Sequence, residues 1–136
     1  MINVDVLKQE NQQIIELTAI LQRLIDDSDL RDNAVFCELM ERFNNSVEAH
    51  LIHEDRTIYS DLLKNENPDV HKLADQFMTN THELRRLMKD YTKRWCHSGN
   101  KDHSTFVDKT REIFSLVNMR INLEDSKLFP AIVNIS

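Results

Sequence analysis

Two stripes of residues, 70 positions apart, constrain this chain more than anything else in it. Asn11, Ile14, Thr18, Leu21 and Ile25 recur at alternating steps of three and four, and Thr81, Leu84, Met88, Tyr91 and Trp95 repeat those steps. A second pair keeps the same offset: His50, Glu54 and Ile58, then Arg120, Glu124 and Leu128. Steps of three and four put residues on one face of an α-helix, whereas a half-buried strand alternates every two. The chain therefore reads as two copies of a helix pair. Each copy places a polar residue inside its first stripe and a basic residue with Glu four positions later inside its second.

The helices implied run from about Asp5 to Asp26, Asn33 to Lys64, Pro68 to Cys96 and Thr105 to Phe129. The second carries Phe36, Met40, Phe43 and Val47 ahead of His50. The third adds Val70, Ala74 and Phe77 ahead of Thr81. The fourth carries Phe114, Val117 and Ile121. Polar segments 26–33 and 97–104 and the stretch before Pro68 separate them. Pro68 suits a first helical turn, and Pro130 reads as a helix end. One Gly and two Pro in 136 residues are too few for the many tight turns of a sheet-rich fold. Helices of roughly 22 to 30 residues span about 33 to 45 Å. Joined by short links, they predict an all-α, antiparallel up-down-up-down four-helix bundle. The length predicts one domain over residues 1–136.

The net charge of −6 and the lack of a Lys/Arg run argue against a nucleic-acid partner. No apolar run is long enough to span a membrane, and MINVDVLKQE lacks the form of a signal peptide. Cys37 and Cys96 stand far apart and are read as reduced thiols, which places the chain in the cytoplasm.

The inner polar positions raise the chemical question. Asn11, His50 and Glu54 in one half match Thr81, Arg120 and Glu124 in the other. Burying Glu or Arg costs several kcal/mol per charge unless partners compensate. Bundles that hold metals solve this by converging carboxylates and His from facing helices. A solvated stripe edge is the bland alternative for one Glu, and its repetition at offset 70 weighs against that alternative.

HLIHEDRTIY (50–59) and RINLEDSKLFP (120–130) carry a more specific signature. They pair His-x-x-x-Glu with an aromatic-Pro, Ser60 replacing the Pro of the first copy and Arg120 the His of the second. The chain resembles hemerythrin-like domains, the HHE cation-binding family, over nearly its whole length. That resemblance implies a duplicated four-helix bundle. It also implies a non-haem di-iron centre used for oxygen carriage, sensing of nitric oxide or redox state, iron handling or repair. At the positions that the family fills with His, this chain has Asn11, Thr81, Phe77 and Arg120. His50, Glu54 and Glu124 survive, with His82 a further candidate if the helix register turns it inward.

One imidazole and two carboxylates do not fill two iron coordination spheres, nor complete a two-His, one-carboxylate triad. A guanidinium at position 120 offers a permanent positive charge and a fork of donors matched to carboxylates. The leading expectation is thus a hemerythrin-like bundle without its di-iron centre or other cofactor, serving as a regulatory or protein-binding module for a protein partner. The alternative is non-haem iron or another divalent metal on His50, Glu54 and Glu124, used to bind or sense oxygen, nitric oxide or redox state. With no nucleophile–base pair and no glycine-rich phosphate loop, an enzyme is the least favoured reading.

Overall fold

A computed structural model describes residues 3–27, 34–96 and 103–135. Its elements are α1 (Val4–Asp26), α2 (Ala34–Thr57), α3 (Tyr59–Lys64), α4 (Pro68–Tyr91), α5 (His103–Leu123) and α6 (Phe129–Ile135). A π-helical turn, Thr92–Cys96, continues α4, and another, Glu124–Leu128, joins α5 to α6. The chain forms the expected four-helix bundle, with α2–α3 as its second helix and α5–α6 as its fourth. α1 packs on α2 and α5, and α4 packs on α2 and α5. Residues 28–33 and 97–102, read as polar links, lie outside the described residues, as do the side chains of Cys96 and His103. Cys37 is a free thiol.

The helix starts follow local chemistry. Asn3 accepts a hydrogen bond from the Asp5 amide at 3.0 Å, and Asn67 accepts one from the Asp69 amide at 2.9 Å. Each side chain thereby satisfies one of the amides left free at a helix N-terminus. Pro68, without an N–H, takes the first position of α4.

Two expectations about helix continuity are corrected. The second helix is not unbroken to Lys64: it divides at Ile58, whose φ/ψ of −109°/−52° departs from regular helix. The fourth does not stop at Phe129; it runs through Pro130 to Ile135. Proline inside a regular helix removes one hydrogen bond and clashes with the preceding turn. Here Pro130 follows the wider π turn and stands in the first turn of α6, where its missing N–H is not needed.

The duplication is visible in the core. Phe36, Val47, Leu51, Ile58, Tyr59 and Leu62 are buried, and so are Phe106, Val117, Ile121, Leu128, Phe129 and Ile132 at the same offset. Apolar contacts form two clusters. The larger contains Ile14, Phe43, Leu84, Trp95 and Phe114; the smaller contains Leu7, Tyr59, Phe77, Leu128 and Ile132. Along every helix the positions between these clusters are the polar ones. Among the described residues eight polar ones are buried: Asn11, Thr18, His50, Glu54, Thr81, Thr110, Arg120 and Glu124. Thr18 and Thr110 donate to the carbonyls of Ile14 and Phe106 in their own helices. The other six form one layer across the bundle, and they are the six singled out by the repeat.

Candidate functional site

The polar layer is dry. Glu54 and Glu124 are 0 % exposed, and His50 and Arg120 are 3 % exposed. Each helix contributes from its inner stripe or the edge beside it: α1 supplies Asn11 with Glu10 at the edge, α2 supplies His50 and Glu54, α4 supplies Thr81 with Asn80 at the edge, and α5 supplies Arg120. Tyr59 enters from α3 and Glu124 from the π turn.

His50 lies among three carboxylates. Its Nδ1 is 2.8 Å from Glu10 Oε1, and its Nε2 is 2.8 Å from Glu124 Oε1 and 2.5 Å from Glu54 Oε1. The Glu10 carboxylate faces Nδ1 and the Glu124 carboxylate faces Nε2, so both N–H groups donate and the ring is an imidazolium. Burial alone would lower the His50 pKa, but the Glu124 and Glu54 carboxylates on Nε2 outweigh it and hold the pKa up at about 10. The Nε2–H is aligned with Glu124. Glu54 Oε1 sits within ion-pair distance yet accepts no aligned hydrogen bond.

That asymmetry separates the two carboxylates. Burial pushes Glu54 up to about 7, with help from the neighbouring Glu124 charge and against the pull of His50. Glu124 goes the other way: burial would raise it, but the His50 hydrogen bond and the charges of His50 and Arg120 overcome that and bring it down to about 2. Two like charges in contact rarely both ionise, so Glu54 holds the proton that Glu124 gives up. Asn11 reinforces this by donating to Glu124 Oε1 at 2.9 Å.

Arg120 uses its whole fork. Nε donates to Glu124 Oε2 at 2.7 Å. One terminal nitrogen donates to the Phe77 carbonyl at 3.0 Å and to Asn80 Oδ1 at 2.8 Å. The other donates to the Tyr59 hydroxyl at 2.7 Å and reaches Glu54 Oε2 at 3.4 Å. Its carbon lies 4.8 Å from the centre of the Phe77 ring, in cation–π range. Burial opposes the charge, but Tyr59, Glu54 and Glu124 raise the Arg120 pKa above its ordinary value. Tyr59 is pushed up to about 12, chiefly by burial, and so remains a phenol that can donate towards Glu54 Oε2 at 3.4 Å.

The structure therefore brings together His50, Glu54, Glu124, Arg120 and Asn11, with Thr81 3.5 Å from the Tyr59 hydroxyl and Phe77 as ring and carbonyl. His82 is not among them: it is exposed and lines a cleft on the outer face between α2 and α4. His53 is half-buried and shares Glu10 with His50, its Nδ1 3.0 Å from Glu10 Oε2. His71 is exposed. Ligand atoms of His50, Glu54 and Glu124 all lie within 4.8 Å of one another, close enough to converge on one cation.

Glu10, Asn80 and Tyr59 were missed as site residues. Glu10 and Asn80 are themselves 70 positions apart, each preceding a stripe residue by one. Tyr59 is the aromatic of the first signature copy, and its hydroxyl, absent from Phe129, was the available signal.

Comparison with curated proteins and with solved structures returns no match. A sequence profile does match: that of the hemerythrin HHE cation binding domain, over residues 3–132, and the chain belongs to that family.

Proposed function

We propose that this chain is a hemerythrin-like bundle whose di-iron centre has been replaced by an organic cation, and that it acts as a regulatory or protein-binding module. The observation that carries the reading is the Arg120 guanidinium, buried against both core carboxylates and committed to five oxygen acceptors. Three converging donors fall short of the five or six that each of two irons takes. The space beside both carboxylates that a second metal needs is filled by the guanidinium. Distances point the same way. Two ligands on one metal at about 2.0–2.2 Å stand roughly 3 Å or more apart. His50 Nε2 lies 2.5 and 2.8 Å from its two carboxylate oxygens, which is hydrogen-bond spacing. With Glu54 holding its proton, the Glu124 and Glu10 carboxylates then balance the His50 imidazolium and the Arg120 guanidinium without a metal. A bundle so held presents its helical surfaces to a partner and keeps the family's scaffold for that purpose.

A second reading rests on the same three donors. His50, Glu54 and Glu124 would hold a single iron or other divalent ion if their spacing opened by a few tenths of an ångström; Glu54 Oε1, buried without an aligned donor, is the atom that favours it. Such a metal would supply a Lewis acid able to bind small ligands such as oxygen or nitric oxide.

Metal analysis of protein purified without a His tag, together with chemical denaturation, separates them. The first reading expects well under one equivalent of iron, zinc or manganese. It also expects Arg120→Ala to cost roughly 3 to 5 kcal/mol at neutral pH, the penalty for orphaning buried charges. Adding Glu54→Gln and Glu124→Gln should recover much of that loss. Arg120→His should gain affinity for iron or zinc relative to the parent. One equivalent of metal in the parent, with His50→Ala releasing it, establishes the second reading. An Arg120→Ala cost under about 1 kcal/mol would sink the substitute-cation argument.

A further inference from the structure

One cleft stands apart from the core cluster. It lies on the outside, between α2 and α4, encloses about 660 Å³ and is lined by none of His50, Glu54, Arg120 or Glu124. That volume falls within the roughly 300–1,000 Å³ typical of small-molecule sites. Its walls are unlike each other. The wall formed by α4 and the π turn that continues it carries Arg85, Lys89 and Lys93 at steps of four, with Arg86 beside them. Such a stripe covers about 12 Å along a helix axis. Arg85 pairs across the cleft with Glu48 at 2.9 Å. Arg86, Lys89 and Lys93 make no ion pair among the described residues. Arg85, Arg86, Lys89 and Lys93 face Glu41 and Glu48 on the other wall, so the lining keeps a positive excess, a local reversal of sign in a chain of net charge −6.

The α2 wall offers acceptors instead. Asn44 donates its amide N–H to Thr92 Oγ1, which leaves Asn44 Oδ1 buried with no partner. A buried acceptor left unmade costs about 1–3 kcal/mol in general, and rotation of the Asn44 amide towards the cleft that it lines would let a ligand hydroxyl or amine relieve it. Leu51 and Met88, both buried, give the floor an apolar patch suited to a flat ring. We infer that this cleft binds a small organic phosphate of nucleotide size, with its phosphates on Arg86, Lys89 and Lys93 and its hydroxyl- or amine-bearing part on Asn44 over Leu51 and Met88. Cations at fixed helical spacing attract several phosphates at once, and the opposite wall selects against a bare anion. The inference does not depend on whether the core holds a metal.

Calorimetric titration with ADP, pyrophosphate and citrate tests it, with the Asn44 side-chain amide and the Met88 methyl followed by NMR. ADP is expected to saturate at one per chain and to shift both signals. It is expected to bind more tightly than pyrophosphate, which lacks the organic part, and than citrate, which lacks phosphate. Arg86→Glu with Lys89→Glu, both exposed and outside the core, should weaken ADP binding by about tenfold or more. Lys109→Glu, on α5 and away from the cleft, should leave it unchanged. Absence of saturable ADP binding, equal affinity for pyrophosphate or citrate, or an equal loss in Lys109→Glu each overturns the proposal. The last would mean that ADP sees only the general charge of the molecule.

Discussion

At the scale of single residues the core is a problem in proton placement, and the signs of the shifts predict its pH dependence. His50 is raised from 6.5 to about 10, so its stabilising contribution is complete below 6.5 and is lost as pH rises towards 10. Glu54 is raised from 4.5 to about 7, so the folded state holds its proton more tightly and stability falls as pH rises through that window. Glu124 is lowered from 4.5 to about 2, and its contribution is present above 4.5 and lost as pH falls to 2. The three together put the greatest contribution of the layer near pH 4.5, with decline on both sides. Urea midpoints measured against pH should show this, and Glu54→Gln should remove the decline between 4.5 and 7. NMR titration of the His50 ring should give a midpoint well above 6.5 that moves down in Glu54→Gln; a parent midpoint at or below 6.5 refutes the imidazolium assignment. Much of this layer is legible in the sequence because a charge inside an apolar stripe stands out. Glu10 and Asn80 are not legible in that way: each lies about 100° round the helix from the stripe residue beside it, at an edge where exposed residues are the rule.

At the scale of elements, periodicity locates the helices and says little about their irregularities. The stripes through Leu21 and Leu84 survive in the structure because burial enforces them. The division at Ile58 and the π turn at Glu124 leave no mark on a wheel, since a local change in hydrogen-bond register shifts the face by a fraction of a turn. Both irregularities stand near a core Glu: Ile58 follows Glu54 by one turn, and Glu124 opens the π turn. In the first half the helix is still regular at Glu54, and in the second it widens at Glu124 itself. Pro130 was readable as a stop, and the π turn before it is why the helix continues instead. Caps are more transparent, and one supports a prediction. Asn67 is exposed, caps α4 through the Asp69 amide, and precedes Pro68 at the first helical position. Asn67→Ala should destabilise the bundle by about 1 kcal/mol, and Asn67→Gly by only a few tenths. Thermal or urea denaturation of the two variants checks the order. Equal losses would mean that the side-chain bond contributes nothing and that backbone geometry alone sets the helix start.

For the whole molecule, the duplication extends from the fold into the hydrogen bonds. His50 reaches Glu10 on α1, Glu54 on its own helix and Glu124 across the core. Arg120 reaches Asn80 on α4, Glu124 on its own helix and Glu54 across the core, which is the same set shifted by 70 positions. The approximate two-fold axis thus relates an imidazolium to a guanidinium. The symmetry is broken where each cation needs something different. His50 has a carboxylate at its Nδ1 where Arg120 has the neutral Asn80, and Arg120 has the Tyr59 hydroxyl where the matching aromatic, Phe129, has none. This predicts the outcome of exchanging the two cations. His50→Arg with Arg120→His keeps the composition and formal charge of the layer, so the bundle should still fold. An arginine at position 50 would face Glu10 and would lack a hydroxyl partner on the α6 side. A histidine at position 120 would face Asn80 in place of a carboxylate. The exchanged protein should be less stable by roughly 1.5 to 3 kcal/mol, the worth of a hydrogen bond to a charged group. Moving the hydroxyl with the guanidinium, by Tyr59→Phe and Phe129→Tyr, should recover a large part of that loss. Urea denaturation of the parent, the double exchange and the four-fold exchange measures each step. If the double exchange abolishes folding, or if moving the hydroxyl makes matters worse, the two halves of the layer are not equivalent. The duplication would then describe the helices but not the charge network they enclose.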